Sequence, residues 1–65
     1  METLKEIREK RGVKQIAVAD YLGITRQTYA QYEENPRVMT VAQAQAVCRF
    51  LHCRLGDIFL IDEVN

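Results

Sequence analysis

Sixty-five residues leave room for one domain with a small core, and a chain of this size buries only roughly 60% of the surface its unfolded form exposes. The 48% apolar and 28% charged composition, with one Pro and three Gly, excludes a disordered segment or a low-complexity linker, and the longest uncharged run, Val38–Cys48, is too short to span a bilayer. Nine basic residues balance nine acidic ones, so net charge gives no general attraction to a polyanion; any hold on phosphate has to come from a few placed cations and helix amino termini.

The chain begins METLKEIREK, which is charged and helical in pattern with no apolar signal segment, so a cytoplasmic location is expected. Thr3-Leu4-Lys5-Glu6 fits a capping box and predicts a first helix from about Leu4 to Arg11, with Leu4, Ile7 and the Arg11 stem on its apolar side. Gly12 closes it, and Val13 returns to the core. A second helix starts at Gln15, with Val18, Ala19 and Leu22 on one face. Gly23 follows as the residue most tolerant of positive φ just past a helix end, Ile24 plugs the turn, and Thr25 caps the next helix.

From Arg26 onward Tyr29 and Tyr32 fall on one side and Arg26, Gln27, Ala30 and Gln31 on the other. A helix apolar on one face and bearing Arg, Gln and Gln on the opposite face suits base-edge recognition. Arg bonds guanine in a bidentate manner, and Gln bonds adenine, in the major groove. Gln15 to Glu33 therefore reads as a helix-turn-helix that binds double-stranded DNA. Glu34 to Arg37 reads as a loop, because Pro36 disfavours helix at the residue before it. Thr40 is the expected cap of a fourth helix reaching about Leu51, with Val41, Ala44, Val47, Cys48 and Leu51 inward and Gln43, Gln45 and Arg49 in water. A short fifth helix, Leu55 to about Leu60, carries Asp57 in its first turn. The expected fold is all-α with five helices. The DNA-binding domain is placed at 1–60 and a carboxy-terminal tail at 61–65.

The segments LKEIREKRGVKQ and LGITRQTYAQYE, a T-x-x-x-A-x-x-V-C-x-F-L stretch and L-x-D-I-F, in that order from Leu4 to Leu60, resemble the Cro and phage-repressor helix-turn-helix family. The resemblance implies a five-helix lambda-repressor-like domain and a transcriptional regulator. It also implies roles residue by residue. Arg26, Gln27 and Gln31 match base-reading positions. Gln15 matches a contact to the DNA backbone, Thr25 the cap of the recognition helix, and Thr28 a hydroxyl touching phosphate or base. Arg8 and Glu33 match an ion pair tying the first helix to the end of the third. With Lys14, Asn35 and Arg37 flanking the unit, the expected backbone contacts are Lys14, Gln15, Thr25, Thr28, Asn35 and Arg37. The chain departs from the family at Asn35-Pro36-Arg37, where Gly and basic residues are common, and at Ala30, which has no polar reach. It departs again at Ile16, and at His52 and Arg54, where Gly and Ser are common and whose junction is expected to lack its usual caps.

Other readings of the same residues are blander. Cys48, His52 and Cys53 fall short of the four ligands a structural zinc takes, so reduced thiols and no metal are expected. Tyr21, Tyr29 and Tyr32 are spread over two helices and suit interhelical packing better than a platform for single strands. One His and no Gly-rich phosphate loop leave no catalytic constellation, and no cofactor or small-molecule ligand is expected. The apolar run Ile58, Phe59, Leu60 and Ile61 either closes the core or makes a homodimer contact, and the expectation is a dimer on a palindromic operator, acting as a repressor. The alternative is a protein-interaction module on the same fold, such as the antitoxin of a toxin–antitoxin pair.

Overall fold

The computed structural model describes residues 3–58, and every regular element within them is helical. The order is α1 (Leu4–Lys10), α2 (Gln15–Leu22), α3 (Arg26–Glu34), a 3-10 turn (Pro36–Val38), α4 (Val41–Leu51) and α5 (Leu55–Ile58). The helix starts are local chemistry. At α1 the Thr3 hydroxyl accepts the Glu6 amide at 3.1 Å while Glu6 accepts the Thr3 amide at 2.7 Å. Thr40 and Gln43 repeat the exchange at α4, at 3.1 and 3.0 Å. Each reciprocal pair satisfies two amides that a helix leaves without partners. Gly23 ends α2 at φ +72°, with nothing within 4 Å of where a Cβ would sit, so its requirement is conformational and not steric.

The core gathers Leu4 and Ile7 of α1, Val18 and Ala19 of α2, Tyr29 of α3, Met39, the α4 face Ala44, Val47, Cys48 and Leu51, and Ile58 of α5. α2 packs against both α3 and α4, and α5 closes on α4. Tyr21 of α2 is 49% exposed and stacks on Phe50 of α4, ring centroids 4.6 Å apart, as interhelical packing of the tyrosines predicts.

Four local expectations change. Val41 is 69% exposed, not inward; it is the first residue of α4, and Met39, just before the cap, takes the buried place at that end. Arg11 is the residue that caps α1 and does more than lend a stem: it is exposed, and its head crosses to α4, donating from Nε to the Leu51 carbonyl at 2.8 Å and from Nη2 to the His52 carbonyl at 3.0 Å. The junction after α4 is capped after all. His52 itself turns left-handed at φ 57°, and Asp57 accepts the Arg54 amide at 2.9 Å at the start of α5. Finally, Glu34 belongs to α3, and the expected loop beyond it folds as the 3-10 turn, with the Asn35 side-chain oxygen accepting the Arg37 amide at 3.3 Å.

Candidate nucleic-acid interface

The α2–turn–α3 unit is built from three short-range devices. The Gly23 amide donates to Asp20 and the Ile24 amide to Ala19, at 3.1 and 3.0 Å, which ends α2 with its last carbonyls satisfied. Ile24, half-buried, packs its side chain against the core. Thr25 then caps α3, its hydroxyl accepting the Thr28 amide at 3.1 Å and donating to the Thr28 hydroxyl at 3.0 Å. With Tyr29 fully enclosed, the opposite face of α3 is obliged to look outward, and Arg26, Gln27 and Gln31 are all exposed there.

Arg26 does not hang loose. Its Nη1 donates to Gln15 Oε1 at 3.1 Å, and Gln15 Nε2 donates to Glu33 Oε1 at 2.9 Å. Glu33 takes Arg8 on both oxygens, Nε to Oε2 at 2.5 Å and Nη2 to Oε1 at 3.3 Å, with the two side chains only 9% and 5% exposed. Arg8 Nη1 adds a bond to the Val13 carbonyl at 2.8 Å, pinning the segment between α1 and α2. Burial alone would raise the Glu33 carboxyl, but the hydrogen bonds from Arg8 and Gln15, with the Tyr29 hydroxyl nearby, outweigh it and hold Glu33 below its ordinary value. Hydrogen bonding to Glu33 raises Arg8 against the effect of its burial. The Tyr29 hydroxyl lies buried beside this pair without completing a hydrogen bond, and burial first, the carboxylate second, push its ionisation upward. Four charged or amide side chains from α1, α2 and α3 thus form one chain of contacts that surfaces at Arg26.

The remaining expected contact residues are in different states. Lys14 is exposed at the start of α2, a helix that has no side-chain cap. Thr28 is half-buried, and the hydroxyl of Thr25 is engaged in capping. Asn35 uses its side-chain oxygen on the Arg37 amide, and both residues are exposed. Of the expected dimer contacts, Ile58 is 6% exposed and packs in the core of its own chain; Phe59, Leu60 and Ile61 lie outside the described residues. Cys48 is buried and Cys53 half-buried, both as free thiols. Among the described residues no group of three His, Cys, Asp or Glu side chains converges to hold a metal, and no helix is long and apolar enough to cross a membrane.

Gln15, expected only as a backbone contact, is linked on both sides, to Arg26 and to Glu33. Gln15 and Glu33 stand 18 residues apart on different helices, and no periodicity connects them.

The comparisons with known proteins agree with this geometry. Residues 4–58 match the family described as Helix-turn-helix. A curated relative, an uncharacterized HTH-type transcriptional regulator, YgzD, of Bacillus subtilis (strain 168), is 31% identical over 62 residues, covering 95% of this chain and 94% of the relative. With nearly the whole described chain inside that match, and with the α2–turn–α3 unit as its centre, this chain belongs to the helix-turn-helix family of Cro and phage-repressor type and has its lambda-repressor-like all-helical fold.

Proposed function

We propose that this chain is a sequence-specific regulator of transcription that seats α3 in the major groove of a palindromic operator, as a homodimer, and represses by occluding a promoter. The observation that carries the reading is the outward face of α3: Arg26, Gln27 and Gln31 exposed together on a helix whose other side is locked by the buried Tyr29. Arg26 and Gln27 stand at the amino-terminal end, where a recognition helix meets base edges; Gln31 follows one turn on.

Orientation on the duplex comes from contacts that carry no sequence information. The uncapped start of α2 presents its first amides and the positive end of its dipole beside Lys14, a ready seat for a phosphate. Gln15, Thr25, Thr28, Asn35 and Arg37 are the other proposed backbone contacts. With zero net charge the domain has little non-specific affinity to draw on, which favours two copies acting together on half-sites about 34 Å apart. The proposed self-contact runs through Phe59, Leu60 and Ile61.

The test is selection of bound duplexes from a random pool at low and moderate salt, followed by Arg26→Ala on the enriched site. Binding as a two-fold dimer predicts a palindrome, and base readout by Arg26 predicts a loss of ~1–3 kcal/mol with relaxed preference at one position in Arg26→Ala. No enrichment, with binding lost at moderate salt, would refute operator readout and point to a protein-interaction module.

A further inference from the structure

The pose of Arg26 is set by two residues that stand behind it in a chain of hydrogen bonds, Gln15 and then Glu33. Gln15 receives Arg26 on its oxygen at 3.1 Å and gives its nitrogen to Glu33 at 2.9 Å. A guanidinium only donates and a carboxylate only accepts, so the two ends dictate which way the Gln15 amide faces. Turned over, it would set N–H groups against N–H groups at Arg26 and oxygen against oxygen at Glu33. Glu33 has no latitude either, since Arg8 grips both of its oxygens in a pair almost closed to solvent.

We propose that Glu33, without touching DNA, is a specificity-determining positioning residue: through Gln15 it holds the Arg26 guanidinium in the pose from which a base is read. This rests on the reading of Arg26 given above and extends it to a residue that the family resemblance presents only as half of an ion pair. With Nη1 engaged by Gln15, Nε and Nη2 remain as two parallel donors on another edge of the Arg26 guanidinium. That is the geometry that matches guanine O6 and N7. Holding the side chain there before DNA arrives removes ordering that would otherwise accompany binding, and it disfavours poses that would accept another base.

The test compares affinities of the full chain for its selected duplex and for the same duplex with the Arg26-read base pair exchanged, in wild type, Arg26→Ala, Gln15→Met and Glu33→Gln. The readout is the ratio of the two affinities, which cancels any loss of folded protein and any uniform loss of phosphate contact. The expected result is that Gln15→Met and Glu33→Gln each lower the ratio about tenfold, toward that of Arg26→Ala, while ratios at the pairs read by Gln27 and Gln31 stay as in wild type. A purely structural Glu33 predicts the wild-type ratio in Glu33→Gln even where Gln15→Met lowers it, and that result overturns the proposal. Should Glu33→Gln not fold, the side-chain amide protons of Gln15 in the DNA-free protein, which the structure gives to Glu33, decide: shifted resonances are expected, and a random-coil pair overturns the link. If wild type itself shows no preference that Arg26→Ala removes, the readout reading fails and the positioning role fails with it.

Discussion

Replacing Arg8 by Met tests the buried pair most severely. The substitution leaves the Glu33 carboxylate almost closed to solvent, with Gln15 as its remaining hydrogen-bond donor, and strands the Val13 carbonyl. Removing one partner of a buried pair costs ~3–5 kcal/mol, because the other charge stays desolvated. A domain of 65 residues is worth only about 3–10 kcal/mol in total, so Arg8→Met should stand near the edge of unfolding at neutral pH. The pH dependence has a definite sign. In wild type Glu33 is held below its unfolded value, so its contribution is present above the unfolded carboxyl range and is lost as pH falls through the folded value. In the variant burial dominates and the carboxyl rises, so the penalty is largest at neutral pH and fades on acidification. Urea denaturation followed by helical circular dichroism, at pH 7 and near pH 4, should show the gap to wild type narrowing as pH falls. Arg8→Met/Glu33→Met should recover most of the loss, short of the Val13 carbonyl's ~1 kcal/mol. A gap just as wide in acid, or a double variant no better than the single, would refute the account of a charge stranded by the loss of its partner.

Three further outcomes follow from the fold. Arg11→Ala should cost ~1–2 kcal/mol in thermal or urea denaturation, since it removes two charge-assisted bonds to the end of α4, one part-buried and one exposed; Arg11→Lys, unable to fork, should recover less than half. His52→Gly should raise the melting temperature, by up to ~1 kcal/mol of relieved left-handed strain, and a lower melting temperature would count against strain at that residue. Cys48, whose thiol is pushed up to about 12 by burial first and the neighbouring Cys53 thiol second, should react with a thiol reagent at pH 8 only as fast as the domain opens, with a rate that rises through the urea transition.

The readable parts of this chain were those whose partners lie within four residues. Thr3 with Glu6, Thr25 with the Thr28 amide, and Gly23 past the end of α2 are each a pattern of spacing, and spacing is what a sequence displays. Gln27 and Gln31 were legible as a face because they lie two residues either side of Tyr29, about 160° round the same helix from it, and Arg26 at the first position borders that face. What stayed hidden was set by contacts across the fold. Arg11 looks like one more surface cation until α4 brings the Leu51 and His52 carbonyls to it, and His52 can be left-handed because that clamp and the caps around it settle the junction without glycine. Val41 keeps helical register with Ala44 and Cys48, yet α4 reaches past the core before that register matters. Gln15 could be placed at the start of α2, but its orientation depends on two groups of opposite hydrogen-bonding character supplied by a different helix.

The Arg11 clamp also orders events during synthesis. Its acceptors lie 40 and 41 residues further along the chain, so α1 has been made long before the carbonyls that hold it exist. The α2–turn–α3 unit, by contrast, assembles from near neighbours joined by a turn that closes on itself. The α2–turn–α3 unit can therefore form, with α1 held to it through Arg8 and Glu33, before the Arg11 clamp closes, and the last residues of α4 complete the enclosure.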